Sequence, residues 1–124
     1  MPASRILAVS VLGLRVAYGV ALIAAPARLT RRWLGPSGGT DPTKVALRGL
    51  GAREILLHTG GLVATVRGDA VRPWLAASVA GDVSDIVATA AARRGLPDGA
   101  APATLVVAGA SALLSGVVAA VLDD

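Results

Sequence analysis

Four apolar stretches organise this chain, and three of them carry ionisable residues near their middles. They run from Ile6 to Ala25, Val45 to Val66, Trp74 to Ala92 and Ala103 to Leu122. Each is close to the ~20 residues that cross a ~30 Å hydrocarbon layer. Composition points the same way. Of 124 residues, 54% are hydrophobic and 16% charged, against about 25% charged in a typical soluble domain. Phe is absent, and the apolar mass is Ala, Val, Leu and Gly. Small residues of this kind suit lipid-embedded helices, whose packing depends on close backbone approach. The expected fold is all-α, a four-helix transmembrane bundle in one domain spanning residues 1–124.

The punctuation between the stretches agrees with this reading. Pro26 ends the first. The segment Gly35–Pro42, GPSGGTDP, is rich in turn residues. Arg67-Gly68-Asp69 closes the second stretch, and Pro73 suits the first turn of the third. Trp33 and Trp74 stand beside span ends, where indoles anchor at a lipid interface. The start has a charged residue and an apolar run, as a signal peptide does. Arg15 interrupts that run and Pro26 disfavours cleavage, so a membrane span is expected instead.

Several function classes fall away. With no Cys there are no disulfides, thiolate metal sites or Cys nucleophiles. One His leaves no His-rich metal centre within a chain, so no metal and no cofactor is expected. The formal charge is +4, but the basic residues form no stripe and lack an aromatic stacking platform. Nucleic acid is not an expected partner. GLGAR and GTDPTK lack the Gly-Lys-Ser/Thr ending of a P-loop. Gly60-Gly61, and Gly109 with Gly116, read as helix-contact positions.

Charge at the bilayer midplane is the remaining problem. Arg15 is central in the first stretch, Arg53, Glu54 and His58 in the second, Asp82 and Asp85 in the third. Each charge costs about 2.5–3.5 kcal/mol at the centre of a membrane if unpaired. They are therefore expected to face inward and pair. At ~100° per residue, the third stretch shows Ser78, Asp82, Asp85 and Thr89 on one face. The fourth shows Thr104, Ala108, Ser111 and Ser115; the first shows Val11, Arg15, Tyr18 and Leu22. In the second, Leu47, Gly51, Glu54, His58 and Thr65 cluster together. Arg53 lies off that face, which leaves it to reach around the helix, to pair at a subunit contact or to bind a carboxylate on another helix. Arg15 and Arg53 contribute +2, and Glu54, Asp82 and Asp85 contribute −3. Balance needs a protonated carboxyl, a charged His58, or Arg48 joining the set.

Asp82, Asp85, Glu54 and His58 are candidates for acid/base catalysis. Arg15, Tyr18 and Arg53 are candidates for substrate binding. Each also has a plain structural reading, as counter-ion or interhelical strut. Basic residues in the short loops set orientation. Arg28, Arg31, Arg32, Lys44, Arg93 and Arg94 fall on one side, and Arg5, Arg67 and Arg72 on the other. The first side is expected to be cytoplasmic, in a multi-pass protein of the bacterial inner membrane.

LRVAYGVALIAAP, then RLTRRWLGP and RGLGAREILLHTGGL, resembles small four-helix integral membrane proteins of high-GC bacteria whose function is unknown, with a looser likeness to DoxX-like proteins. The shared positions are Arg15, Ala17 and Gly19; Gly51, Arg53 and Glu54; and Gly81, Asp82 and Asp85. The resemblance implies a four-helix membrane fold and no particular activity. His58 departs from it, standing where such helices carry small or aliphatic residues. The expected function is to bind or transform an apolar small molecule by acid/base chemistry, with the bilayer as surroundings and a homodimer as the assembly. Proton-coupled transport and a structural or assembly role are the alternatives.

Overall fold

Prolines and glycines set the helix boundaries in the computed structural model, which describes residues 1–123. Helix α1 spans Ala3–Ala24. Helix α2 spans Pro26–Leu34, α3 spans Asp41–Arg67, α4 spans Arg72–Ala92 and α5 spans Ala100–Val121. Short 3₁₀ turns at Gly35–Gly39 and Arg93–Gly95 complete the described residues, which contain no strand. Pro26, Pro42 and Pro73 all sit in the first turn of a helix, where a missing N–H costs nothing. Gly68, at φ 78°, ends α3. Its N–H donates to Thr65 O, and that of Asp69 to Ala64 O, a left-handed cap that suits glycine.

The described residues thus hold five α-helices, where the sequence suggested four. The additional one, α2, lies in the segment read as a loop after Pro26. Pro26 does stop α1, and it also starts α2. Arg28, Arg31 and Arg32 are exposed on α2, while Thr30 is buried and Trp33 half-buried. The indole of Trp33 donates to Ala100 O at 3.1 Å and Thr104 Oγ1 at 3.0 Å, tying α2 to α5.

Three helices are long and apolar enough to cross a membrane: α1, α4 with its following turn, and α5. Helix α3 is longer still, at 27 residues, but six charged residues dilute its apolar character.

The helices pack as two antiparallel pairs, α1 on α3 and α4 on α5. The first pair approaches to backbone contact. A Cβ at Gly19 would lie 2.7 Å from the Gly51 carbonyl oxygen, and one at Gly51 2.7 Å from that of Gly19. Gly60 leaves room for the Trp74 ring and Gly61 for Leu12, as helix-contact glycines do. Gly109 and Gly116 instead face open space within this chain.

An apolar core of Ala8, Leu12, Ala64, Val71, Leu75, Val118 and Leu122 fills one end of the bundle. Guanidinium groups meet helix C-termini there: Arg5 donates to Thr65 O and Asp69 O, and Arg72 to Ala119 O and Leu122 O. Elsewhere the usual distribution is inverted. Arg15, Glu54, His58, Ser78, Asp82 and Ser115 are buried, while Leu14, Leu56, Val66, Val106 and Leu113 are exposed.

Candidate functional site

Helical spacing brings one polar stripe from each of α1, α3 and α4 to a common interior. Arg15 on α1 is the hub. Its Nε donates to Glu54 Oε2 at 2.8 Å and its Nη2 to Glu54 Oε1 at 2.9 Å. On the other side, Nη1 donates to Asp82 Oδ2 at 2.9 Å and Nη2 to Asp82 Oδ1 at 2.7 Å. One guanidinium therefore grips two carboxylates, each through both oxygens. This forked geometry is specific to arginine, whose planar donors match a carboxylate edge. Four of its five N–H groups are engaged in this way.

Arg53 reaches around α3 to a carboxylate on α4, one of the arrangements its off-face position left open. Its Nη2 lies 3.0 Å from Asp85 Oδ2 and 3.6 Å from Glu54 Oε1. This second pair is more open than the first: the Arg53 and Asp85 side chains are 40% and 35% exposed. Asp82 and Asp85, three residues apart, do not hydrogen-bond to one another. Each takes its own arginine, so the two carboxylates are separated by their partners.

His58, one turn after Glu54, is 1% exposed. Its Nδ1 lies 2.7 Å from Glu54 O and 3.2 Å from Glu54 Oε2. Both are acceptors, which assigns the proton to Nδ1. Its Nε2 lies 2.8 Å from Ser78 Oγ. A neutral imidazole satisfies both contacts, with the Ser78 hydroxyl donating to Nε2. Ser78 thus joins the network that its face position anticipated, though its hydroxyl had not been counted among the site groups. Arg48 takes no part and donates instead to Ile23 O at 3.4 Å.

Beside this network opens a cleft. Its first part, about 240 Å³, is walled by Arg15, Glu54, Asp82 and Asp85 together with Tyr18, Leu14 and Leu50. Val107, Ala108 and Ser111 of α5 close its far side. A second part, about 330 Å³, adjoins it through Tyr18, Leu50, Asp85, Val107 and Ala108. It extends along Leu22, Ala88 and Ala103 to Leu29, Thr30 and Trp33 of α2. The Tyr18 side chain lies on the cleft wall and is 38% exposed. Its hydroxyl makes no hydrogen bond to any described residue.

Six of the seven sequence candidates, Arg15, Arg53, Glu54, His58, Asp82 and Asp85, are linked by hydrogen bonds or ion pairs. Tyr18 stands beside them without a bond. The site residues that spacing did not reveal are the apolar ones, Leu50, Val107 and the α2 side chains. An aliphatic residue facing a cleft and one facing lipid look alike in a sequence. Among the described residues no group of three or more His, Asp or Glu side chains is arranged to hold a metal ion. No family model, curated protein or solved structure matches the chain.

Proposed function

We propose that this chain is a multi-pass protein of the bacterial inner membrane whose interior cleft binds an apolar small molecule bearing one polar group. In this reading α1, α3, α4 and α5 are the four spans, and α2 lies along the cytoplasmic surface. The charges of α3 are compatible with a span because Glu54 and His58 are buried and Arg53 is paired. The likeness to small membrane proteins of high-GC bacteria belongs to the same proposal. So does a homodimer, for which the unfilled Gly109 and Gly116 face of α5 offers close approach.

One observation carries the binding reading. The cleft joins a polar end, at Arg15, Asp82 and Asp85, to an apolar end, at Leu22, Leu29 and Trp33. Ligand sites commonly have this form, an apolar enclosure with a few convergent polar groups. Any acid/base step falls to Asp85. Both oxygens of Asp82 and of Glu54 are held by Arg15, whereas Asp85 is partly open and lines both parts of the cleft.

Native mass spectrometry of protein released from lipid nanodiscs tests this, with wild type beside Asp85→Asn. A discrete small-molecule mass on wild type, depleted in the variant, is the expected result. Release of both proteins without ligand, in one oligomeric state, removes the binding reading.

A structural role is the second reading, favoured by the saturation of Arg15. In that case the ion pairs fix helix register and orientation only, and a partner protein co-purifies.

A further inference from the structure

The charge balance of the cleft wall narrows the ligand. We infer that its occupant is a cationic amphiphile, an apolar chain ending in an ammonium-type head that sits against Asp85 and the Tyr18 hydroxyl. This rests on the binding-site reading above and adds the sign of the head group.

The polar end of the cleft presents one guanidinium, Arg15, against three carboxylates. Arg53 stands behind Asp85 and offsets one of them. With His58 neutral, as its two contacts allow, and the three carboxyls ionised, the cluster carries one uncompensated negative charge. That charge is accessible at one place. Glu54 and Asp82 are buried with both oxygens engaged. Asp85 Oδ1 has a single donor from Arg53, at the long distance of 3.5 Å, and the side chain is partly exposed. The neighbouring Tyr18 oxygen is free to accept a hydrogen bond. An ammonium head offers the charge that the cluster lacks and donors for both oxygens. An anionic head would meet three carboxylates, with four of the five Arg15 donors already committed. In a low-dielectric surrounding that juxtaposition is strongly unfavourable. The chain of the ligand would run along Leu50 and Val107 toward Leu29.

Three probes with the same ten-carbon chain discriminate: decylammonium, decanol and decyl sulfate. Each is titrated against the protein in nanodiscs of zwitterionic lipid, and adducts are counted by native mass spectrometry. Decylammonium is expected to bind about tenfold tighter than decanol, with decyl sulfate not retained. Asp85→Asn is expected to remove that preference, bringing decylammonium binding down to the level of decanol. Tyr18→Phe, a milder change that removes only the hydroxyl, is expected to weaken decylammonium binding about threefold. Equal or tighter binding of decyl sulfate overturns the inference, as does a cation preference that survives Asp85→Asn. Binding of decanol without any cation preference overturns the charge assignment alone and leaves the binding site standing. If none of the three binds, both readings fall.

Discussion

At the scale of single residues, Arg15 decides whether the interior can exist. Its single positive charge is shared by Glu54 and Asp82, and both carboxylates are buried. Arg15→Met is therefore expected to destabilise the fold by about 3–5 kcal/mol, the usual consequence of stranding buried charge. Unfolding in mixed detergent micelles measures this. Adding Glu54→Gln and Asp82→Asn to Arg15→Met should recover most of the loss, because the partners are then neutral. A triple variant as unstable as the single one would show that Arg15 acts through packing. The existence of this network was legible in the sequence, since charges at the centre of apolar stretches have few affordable places to go. Its wiring was not. Formal charge does not say that Arg15 takes two carboxylates while Arg53, off the polar face, takes Asp85. That assignment depends on side-chain reach across a helix crossing.

Among the elements, α1, α3, α4 and α5 contain the four apolar stretches, while α2 was missed. Its nine residues are too few and too charged for a hydropathy window, and Pro26 reads as a stop whether or not a new helix follows. The closeness of α1 to α3 was also only partly visible. Gly19 and Gly51 are among the positions on which the sequence resemblance rests, but their mutual contact is a property of the crossing. Adding a methyl group there forces the helices apart, so Gly51→Ala is expected to cost about 1–3 kcal/mol. Gly109→Ala, which meets no atom of this chain within 4 Å, is expected to be neutral or to stabilise α5 by up to about 1 kcal/mol. Thermal unfolding of both variants as detergent-solubilised monomers checks the contrast. Loss of a dimer in Gly109→Ala nanodiscs, without loss of monomer stability, would mark α5 as the subunit contact.

For the whole molecule, the proposed orientation rests on the distribution of cations. Arg28, Arg31 and Arg32 of α2 are exposed at one end. At the other end Arg5 and Arg72 are engaged with helix C-terminal carbonyls. The chain lacks Cys, so single cysteines can report sidedness without background. Ala70→Cys is expected to react with a membrane-impermeant maleimide in intact cells. Ser37→Cys, in the turn after α2, is expected to react only after the membrane is opened. The reverse pattern would invert the orientation, and labelling of both in intact cells would show that α3 does not carry the chain across the membrane.

The pairing of helices bears on assembly. Within α1 and α3, Arg15 and Arg53 exceed Glu54 by one positive charge among the site groups. Within α4 and α5, Asp82 and Asp85 have no internal counter-ion in the site. The bonds that resolve this, Arg15 to Asp82 and Arg53 to Asp85, all cross from one hairpin to the other, as does His58 to Ser78. In the lipid setting proposed above, neither pair of helices is electrostatically complete by itself. On that reading each is the other's solvent, and a half-built molecule would advertise its unfinished state as exposed intramembrane charge, the kind of signal on which membrane quality control can act.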